Sequence, residues 1–293
     1  LSSVSQNEMN RVLAQPGLNL YSSREAHLSV IFLNNDNHEV PYLKEKDFRK
    51  ALMAATNRQG MIDEVLMGQG VLAVGPFLPD SWAFYEGQTQ FRYDPDLARQ
   101  LIAGSGFVLG EDGMVRDSNG QTIKLKLLVP EDVRYQSLAN VIERNWKAVG
   151  VDIELVVKPY EQLIADLESR NYHAALIDID FSETPDPDPY PFWSEAAVSE
   201  GQNYSGWVNS TASEYIEQAR VISDMDLRVK LYRNFQVLFA EDLPSLPLFF
   251  SVYNYAVKDS IQNVTVGPIY DPSDRFNTIA EWYIHTGIPN ENN

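Results

Sequence analysis

Three observations predict an α/β fold with a mixed sheet flanked by helices. Apolar runs of strand length alternate with amphipathic stretches of helical length across residues 123–179, the pattern of strands joined by crossover helices. Val30, Ile31, Phe32 and Leu33 are apolar on both parities, so the strand they form is buried on two faces and central. The aromatic-rich stretch 246–257 reads as strand again. With 293 residues, 44% of them hydrophobic, the chain is long enough for one large domain or two moderate ones.

Residues 7–14 read as a helix closed by Pro16-Gly17, and 18–21 as a short extended piece. The central strand, 28–33, stops at the polar cluster Asn34, Asn35, Asp36, Asn37. Helical spacing of Phe48, Leu52 and Ala55, then of Met61, Ile62, Val65 and Leu66, predicts two helices, the second stopped by Gly68. Residues 71–82, with Gly75-Pro76 and Pro79-Asp80, read as an irregular loop. Asp94-Pro95 supplies a cap and a first-turn proline to a helix through Leu101 and Ile102, and Asp112-Gly113 with Asn119-Gly120 predicts a small hairpin. Strand 123–129, helix 132–148, strand 151–157, helix 160–169 and strand 173–179 follow. Residues 181–204 hold Pro185, Pro187, Pro189 and Pro191, follow neither period and read as a long loop. Two further helices carry Tyr215, Ile216, Ala219 and Leu231, Phe235, Leu238, Phe239; segments 246–252, 253–257 and 277–283 read as strands.

Lys and Arg total 23 against 41 Asp and Glu, a net charge of −18. Such a surface repels nucleic-acid phosphates and anionic lipid alike, so no nucleic-acid partner is expected. The longest apolar runs are strand-length, far below the ~20 residues of a membrane-spanning helix. No basic, apolar leader opens the chain, as expected of a cytosolic protein or of one whose beginning has been removed. Cysteine is absent, which removes disulfides, thiolate nucleophiles and Cys-ligated metals.

His27, His38, His173 and His285 are scattered without metal-ligand spacing, and Gly68-Gln69-Gly70 and Gly104-Ser105-Gly106 follow helices instead of cradling phosphate. Neither a metal nor a cofactor is expected. The strongest constellation is Asp178, Asp180, Phe181, Glu183, Asp186, Asp188, Tyr190, Phe192 and Trp193, followed by Asn203, Tyr204 and Trp207. Carboxylates beside flat aromatic surfaces at the C-terminal end of a strand suit an ammonium group, a sugar or a cation. Three readings stay open at this point: a solvated acidic loop with an aromatic anchor, a calcium site without EF-hand spacing, and a glycosidase-like carboxylate pair.

The segment from Phe48 through Arg49, Ala51, Leu52, Ala54 and Ala55 to Arg58 resembles a helix of the peptide/oligopeptide (family 5) extracellular solute-binding proteins of ABC transporters. Further matches follow in order: Ile62-Asp63, Gly75-Pro76, Tyr93-Asp94-Pro95, Gly106-Phe107, Gly206-Trp207-Val208-Asn209, Arg228, Leu231-Tyr232, Gln236, Pro244 and Leu246-Pro247-Leu248. Each is weak alone; their order across nearly the whole chain is specific.

The resemblance implies a two-lobed clamp of which this chain is the C-terminal half. The second lobe would span 29–251, with 1–28 and 252–293 as remnants of a first lobe whose N-terminal part is missing, and the chain would begin inside the mature protein. It also implies a bacterial, extracytoplasmic binding component, not an enzyme, that captures oligopeptides or related small solutes and delivers them to membrane permease subunits. In peptide-binding members an acidic residue three positions before an acidic-Pro pair holds the ligand's amino group; with Asp186-Pro187 as that pair, the position is Glu183. A Trp commonly stands three residues further upstream, where this chain has Asp180. The ligand-binding residues expected are therefore Glu183, Asp180, Phe181, Asp186, Asp188, Asn203 and Trp207, with Asp186 or Asp188 ordering the loop. Because family relatives also resemble binders of oligosaccharides or metal chelates, oligosaccharide capture is an alternative, and a carbohydrate-active enzyme using the 178–193 loop is a rival.

Overall fold

The computed structural model describes residues 4, 6–79, 81–181 and 186–284. Its first half contains α1 (Gln6–Leu13), β1 (Leu18–Leu33), α2 (Lys46–Ala55), α3 (Arg58–Glu64), β2 (Gly70–Leu72), α4 (Pro95–Gly104), β3 (Val108–Leu109), β4 (Val115–Arg116), β5 (Lys124–Pro130) and α5 (Val133–Lys147). There follow β6 (Asp152–Lys158), α6 (Tyr160–Glu168), β7 (Ala174–Asp180), α7 (Tyr190–Trp193), α8 (Ala197–Glu200), α9 (Ser210–Val221), α10 (Met225–Asp242), β8 (Ser245–Lys258), β9 (Ile261–Gln262) and β10 (Tyr283–Ile284).

Six strands form one mixed sheet in the order β2-β8-β1-β7-β5-β6. β5 runs parallel to β6 and β7, whereas β1 is antiparallel to both β7 and β8. The expected alternation of strands and helices is present, with each boundary within about two residues of its predicted place. Asp94 caps α4 by accepting from Asp96 N and Leu97 N, as its sequence context predicts.

Several expectations are corrected by pairing. β1 is one continuous strand where two pieces were expected, because its polar middle is held in a ladder with β8 from Leu18↔Lys258 to Arg24↔Val252, and again from Leu28↔Phe250. Between those stretches Glu25, Ala26 and His27 bulge away from β8, and Glu25 bridges Ile269 instead. β8 is likewise a single strand, and the loop expected at 71–82 begins with β2, an edge partner of β8. Short helices α7 and α8 interrupt the expected loop 181–204. The tail expected as strand at 277–283 is built of 3-10 turns, Pro272–Phe276 and Ile279–Glu281, before β10.

Each face of the sheet has its own core. Ile31, Leu33, Ala174, Leu176, Leu125 and Leu127 pack with α2 to α5. Leu28, Val30, Phe32, Ala175, Ile177 and Ile179 pack on the opposite side with α6, α9 and α10. A third, smaller cluster joins Tyr253, Tyr255 and Val257 of the outer half of β8 to Val264 and Ile269. So β1 and β8 run out of the helix-flanked sheet into a separate apolar cluster built largely by the tail.

Candidate functional site

The end of β7 divides the acidic-aromatic constellation. Side chains alternate along a strand, and residues paired across β1 and β7 share a face: Ser29 with Asp178 and His27 with Asp180 on one side, Leu28 with Ile179 on the other. Asp178 and Asp180 therefore point to the α5 side, whereas Phe181, like Ile177 and Ile179, lies with the α6, α9 and α10 core.

On the α5 side, Asp178 accepts from Ser29 Oγ at 2.5 Å and pairs with Arg134 at 2.6 Å. Asp132 caps α5 by accepting from Arg134 N and Tyr135 N, which sets Arg134 in the first turn, aimed at the strand end. Asp180, with 59% of its side chain exposed, stands 3.1 Å from His27 Nε2, and Glu25 lies 3.7 Å from His27 Nδ1. Burial raises the Glu25 pKa, His27 and Arg134 act against that, and the charges of Asp178 and Asp180 add to it. Tyr135 is pushed up by burial and by Asp178.

On the other side a cleft of about 520 Å³ opens below the loop. Phe32, Ile164, Ile177, Ile179, Phe181 and Phe192 give it an apolar lining, and Tyr160, Gln202 and the four aspartates Asp178, Asp180, Asp186 and Asp188 add polar groups. Phe181 and Phe192 meet edge to face at 5.5 Å between ring centres. Asp186 takes two bonds of 2.9 Å from Arg228 of α10, and Asp188 pairs at 3.1 Å with Arg220 of α9. The acidic run in the sequence is thus matched locally: Asp178 by Arg134, Asp186 by Arg228, Asp188 by Arg220, with Asp180 facing His27.

Glu183 falls outside the described residues. Asn203 and Trp207 are not brought to this cleft. Asn203 is buried, donates to Ser194 O and Trp207 O, and accepts from Ser205 Oγ and Trp207 N, so its amide closes a turn. Trp207, only 6% exposed, donates to Asp242 and packs on Phe235 and Phe239. It lines a different groove with Asn34, Asn35 and Asp36, beside the turn after β1 and so at the opposite end of β7 from Asp180. Sequence reasoning missed Arg134, Arg220 and Arg228 as site residues. Arg228 stood among the family-like positions, but nothing local to a helical Arg tells which distant carboxylate it meets. Among the described residues no group of three or more His, Asp or Glu side chains is arranged to hold a metal ion.

A mixed sheet with helices on both faces and a cleft beside the C-terminal end of β7 is an α/β fold of the periplasmic-binding-protein type. The chain belongs to the bacterial extracellular solute-binding proteins, family 5, whose middle-region model matches residues 1–202. Among curated relatives, the oligopeptide-binding protein AppA of Bacillus subtilis is 23% identical over 91% of this chain and 49% of its own length. The dipeptide-binding protein of Escherichia coli is 24% identical over 92% of this chain and 47% of its own length. This chain therefore spans about half the length of the curated relatives it matches. The solved structure of AppA in complex with a nonapeptide superposes with a TM-score of 0.78 at 22% identity, covering 96% of this chain and 55% of that one. NikZ of Campylobacter jejuni, in complex with Ni(L-His), gives 0.77 at 20% identity, covering 96% and 56%. Among the described residues no helix is long and apolar enough to cross a membrane.

Proposed function

We propose that this chain carries one ligand-binding lobe, with remnants of the other, of an ABC-importer capture protein, which takes up oligopeptides or related small solutes by closure of two lobes and delivers them to membrane permease subunits. The supporting observation is the 520 Å³ cleft beside the end of β7, lined by aliphatic and aromatic side chains together with Asp178, Asp180, Asp186 and Asp188, a concave mixture of flat apolar surface and polar groups that suits a small ligand. Two of the reported relatives are named for binding oligopeptides and dipeptides, which supports peptides as the ligand class. Residues 29–251 form the lobe in this reading, and the cluster around Tyr253 and Ile269 is its link to the first lobe.

Glu183 holds the ligand's amine, Phe181 lies against a ligand side chain, and Asp186 and Asp188 order the loop. The glycosidase rival is weakened because Asp178, Asp186 and Asp188 are all committed to guanidinium groups, whereas acid-base chemistry needs one carboxyl to give up a proton and another to take one. The test is a thermal-shift screen of the full-length protein against di- to decapeptides, oligosaccharides and metal chelates, beside Glu183→Ala. Stabilisation by peptides that the variant loses is the expected result. Stabilisation by sugars or chelates alone overturns the ligand class, and turnover of a chromogenic glycoside overturns capture itself.

A further inference from the structure

We propose that Arg228 and Arg220 are positioning residues of the cleft, which fix its wall from the α9–α10 pair by gripping Asp186 and Asp188. Pro187 and Pro189 follow these carboxylates, and Pro185 and Pro191 flank them. None of the four has an N–H to give to a ladder or a turn; Pro189 O and Pro191 O accept backbone bonds from Phe192, Trp193 and Gln202, which leaves residues 186–188 ahead of them to be held through the side chains of Asp186 and Asp188.

Arg228 is built as a rigid anchor. Its side chain is 14% exposed, its Nε donates to Ala219 O at 2.9 Å, and its guanidinium lies 4.6 Å from the Trp82 ring centre. One nitrogen of the guanidinium, Nη2, donates to both oxygens of Asp186 at 2.9 Å. An ammonium can give Asp186 the same two bonds, but it has no second nitrogen to hold Ala219 O and no flat face to lay over Trp82 at the same time. Arg220 meets Asp188 more simply, through Nε at 3.1 Å, and its guanidinium covers Tyr190 at 4.2 Å, while Asp188 also accepts from Tyr190 N at 3.1 Å and so tethers the start of α7.

Because Asp186, Asp188, Phe181 and Phe192 all line the cleft, its width and the placing of its aromatic wall are set from α9 and α10. The two carboxylates then act by geometry and not as a charge offered to the ligand. The consequence for affinity rests on the capture reading; the consequence for loop order does not.

Arg228→Lys, Arg228→Gln and the more exposed Arg220→Gln are compared with the native full-length protein by hydrogen exchange without ligand and by calorimetric titration with a peptide that stabilises the native protein. The expected result is exchange about tenfold faster at Asp186, Asp188, Tyr190, Phe192 and Trp193, with exchange in α2 to α5 unchanged. Peptide Kd rises about tenfold, and lysine fails to restore it although it keeps the charge. Native exchange at those amides in Arg228→Gln and Arg220→Gln overturns the clamp, and so does full rescue by lysine. Faster exchange with unchanged Kd overturns the positioning role. If no peptide binds the native protein, the capture reading fails, while the exchange result still decides the clamp.

Discussion

At the residue scale, burial makes Glu25 the carboxyl with a clear pH signature. Its pKa is raised in the fold because burial, with Asp178 and Asp180, outweighs the attraction of His27 and Arg134. A folded-state pKa above the unfolded one means that the folded chain binds the proton more tightly. The associated stability is full below the ordinary carboxylate range and is lost as pH rises through the raised value. Glu25→Gln is therefore expected to unfold at a higher temperature than the native chain near neutral pH, with the difference shrinking as pH falls below that range. A gap that stays constant or widens on acidification, followed by circular dichroism, would show that the ion pairs of Glu25 outweigh its burial. The cationic side chains divide by environment in a similar way. Arg58 is buried and donates to Ala73 O, Pro247 O and Phe91 O, tying the loop after β2 to β8; burial lowers its pKa to about 10, so it remains charged at neutral pH.

At the element scale, the turn between α5 and β6 depends on Gly150. Its φ is +89°, and a Cβ there would lie 2.7 Å from Gly113 O and 2.9 Å from Leu109 Cδ1 and Val115 Cγ2. The same residue accepts from Val115 N at 2.7 Å, so the β3–β4 hairpin is docked on this turn. Gly150→Ala is expected to cost about 2 kcal/mol through left-handed backbone strain and overpacking, read from the urea midpoint. A change below about 0.5 kcal/mol would mean that the hairpin moves aside freely. The hairpin itself was legible in Asp112-Gly113 and Asn119-Gly120, as were α4 in Asp94-Pro95 and the alternating strands and helices of 123–179, because their signals are local. The continuity of β1 through Ser22, Ser23 and Arg24 was not, because a polar stretch becomes strand only when a partner supplies the ladder, here β8. For the same reason α7 and α8, too short to show a period, were hidden among prolines.

At the scale of the whole molecule, the net charge of −18 sets a repulsion that compaction must overcome. Screening at about 0.1 M salt, where the Debye length is about 10 Å, is expected to raise the Tm of this chain. A Tm that falls with salt would show instead that attractive pairs such as Arg228–Asp186 outweigh the surplus of acid. The sequence by itself determined the fold class, the central place of β1, the family and the place in the chain where carboxylates and aromatics gather, since each rests on residue order and short-range period. Only the tertiary structure decided how that gathering is arranged. The end of β7 sends Asp178 and Asp180 to one face and Phe181 to the other, Arg134, Arg220 and Arg228 arrive from three helices to match the charges, and Asn203 and Trp207 go to other work. Alternation at a strand end, and pairing between residues far apart in the chain, depend on which elements come together in space.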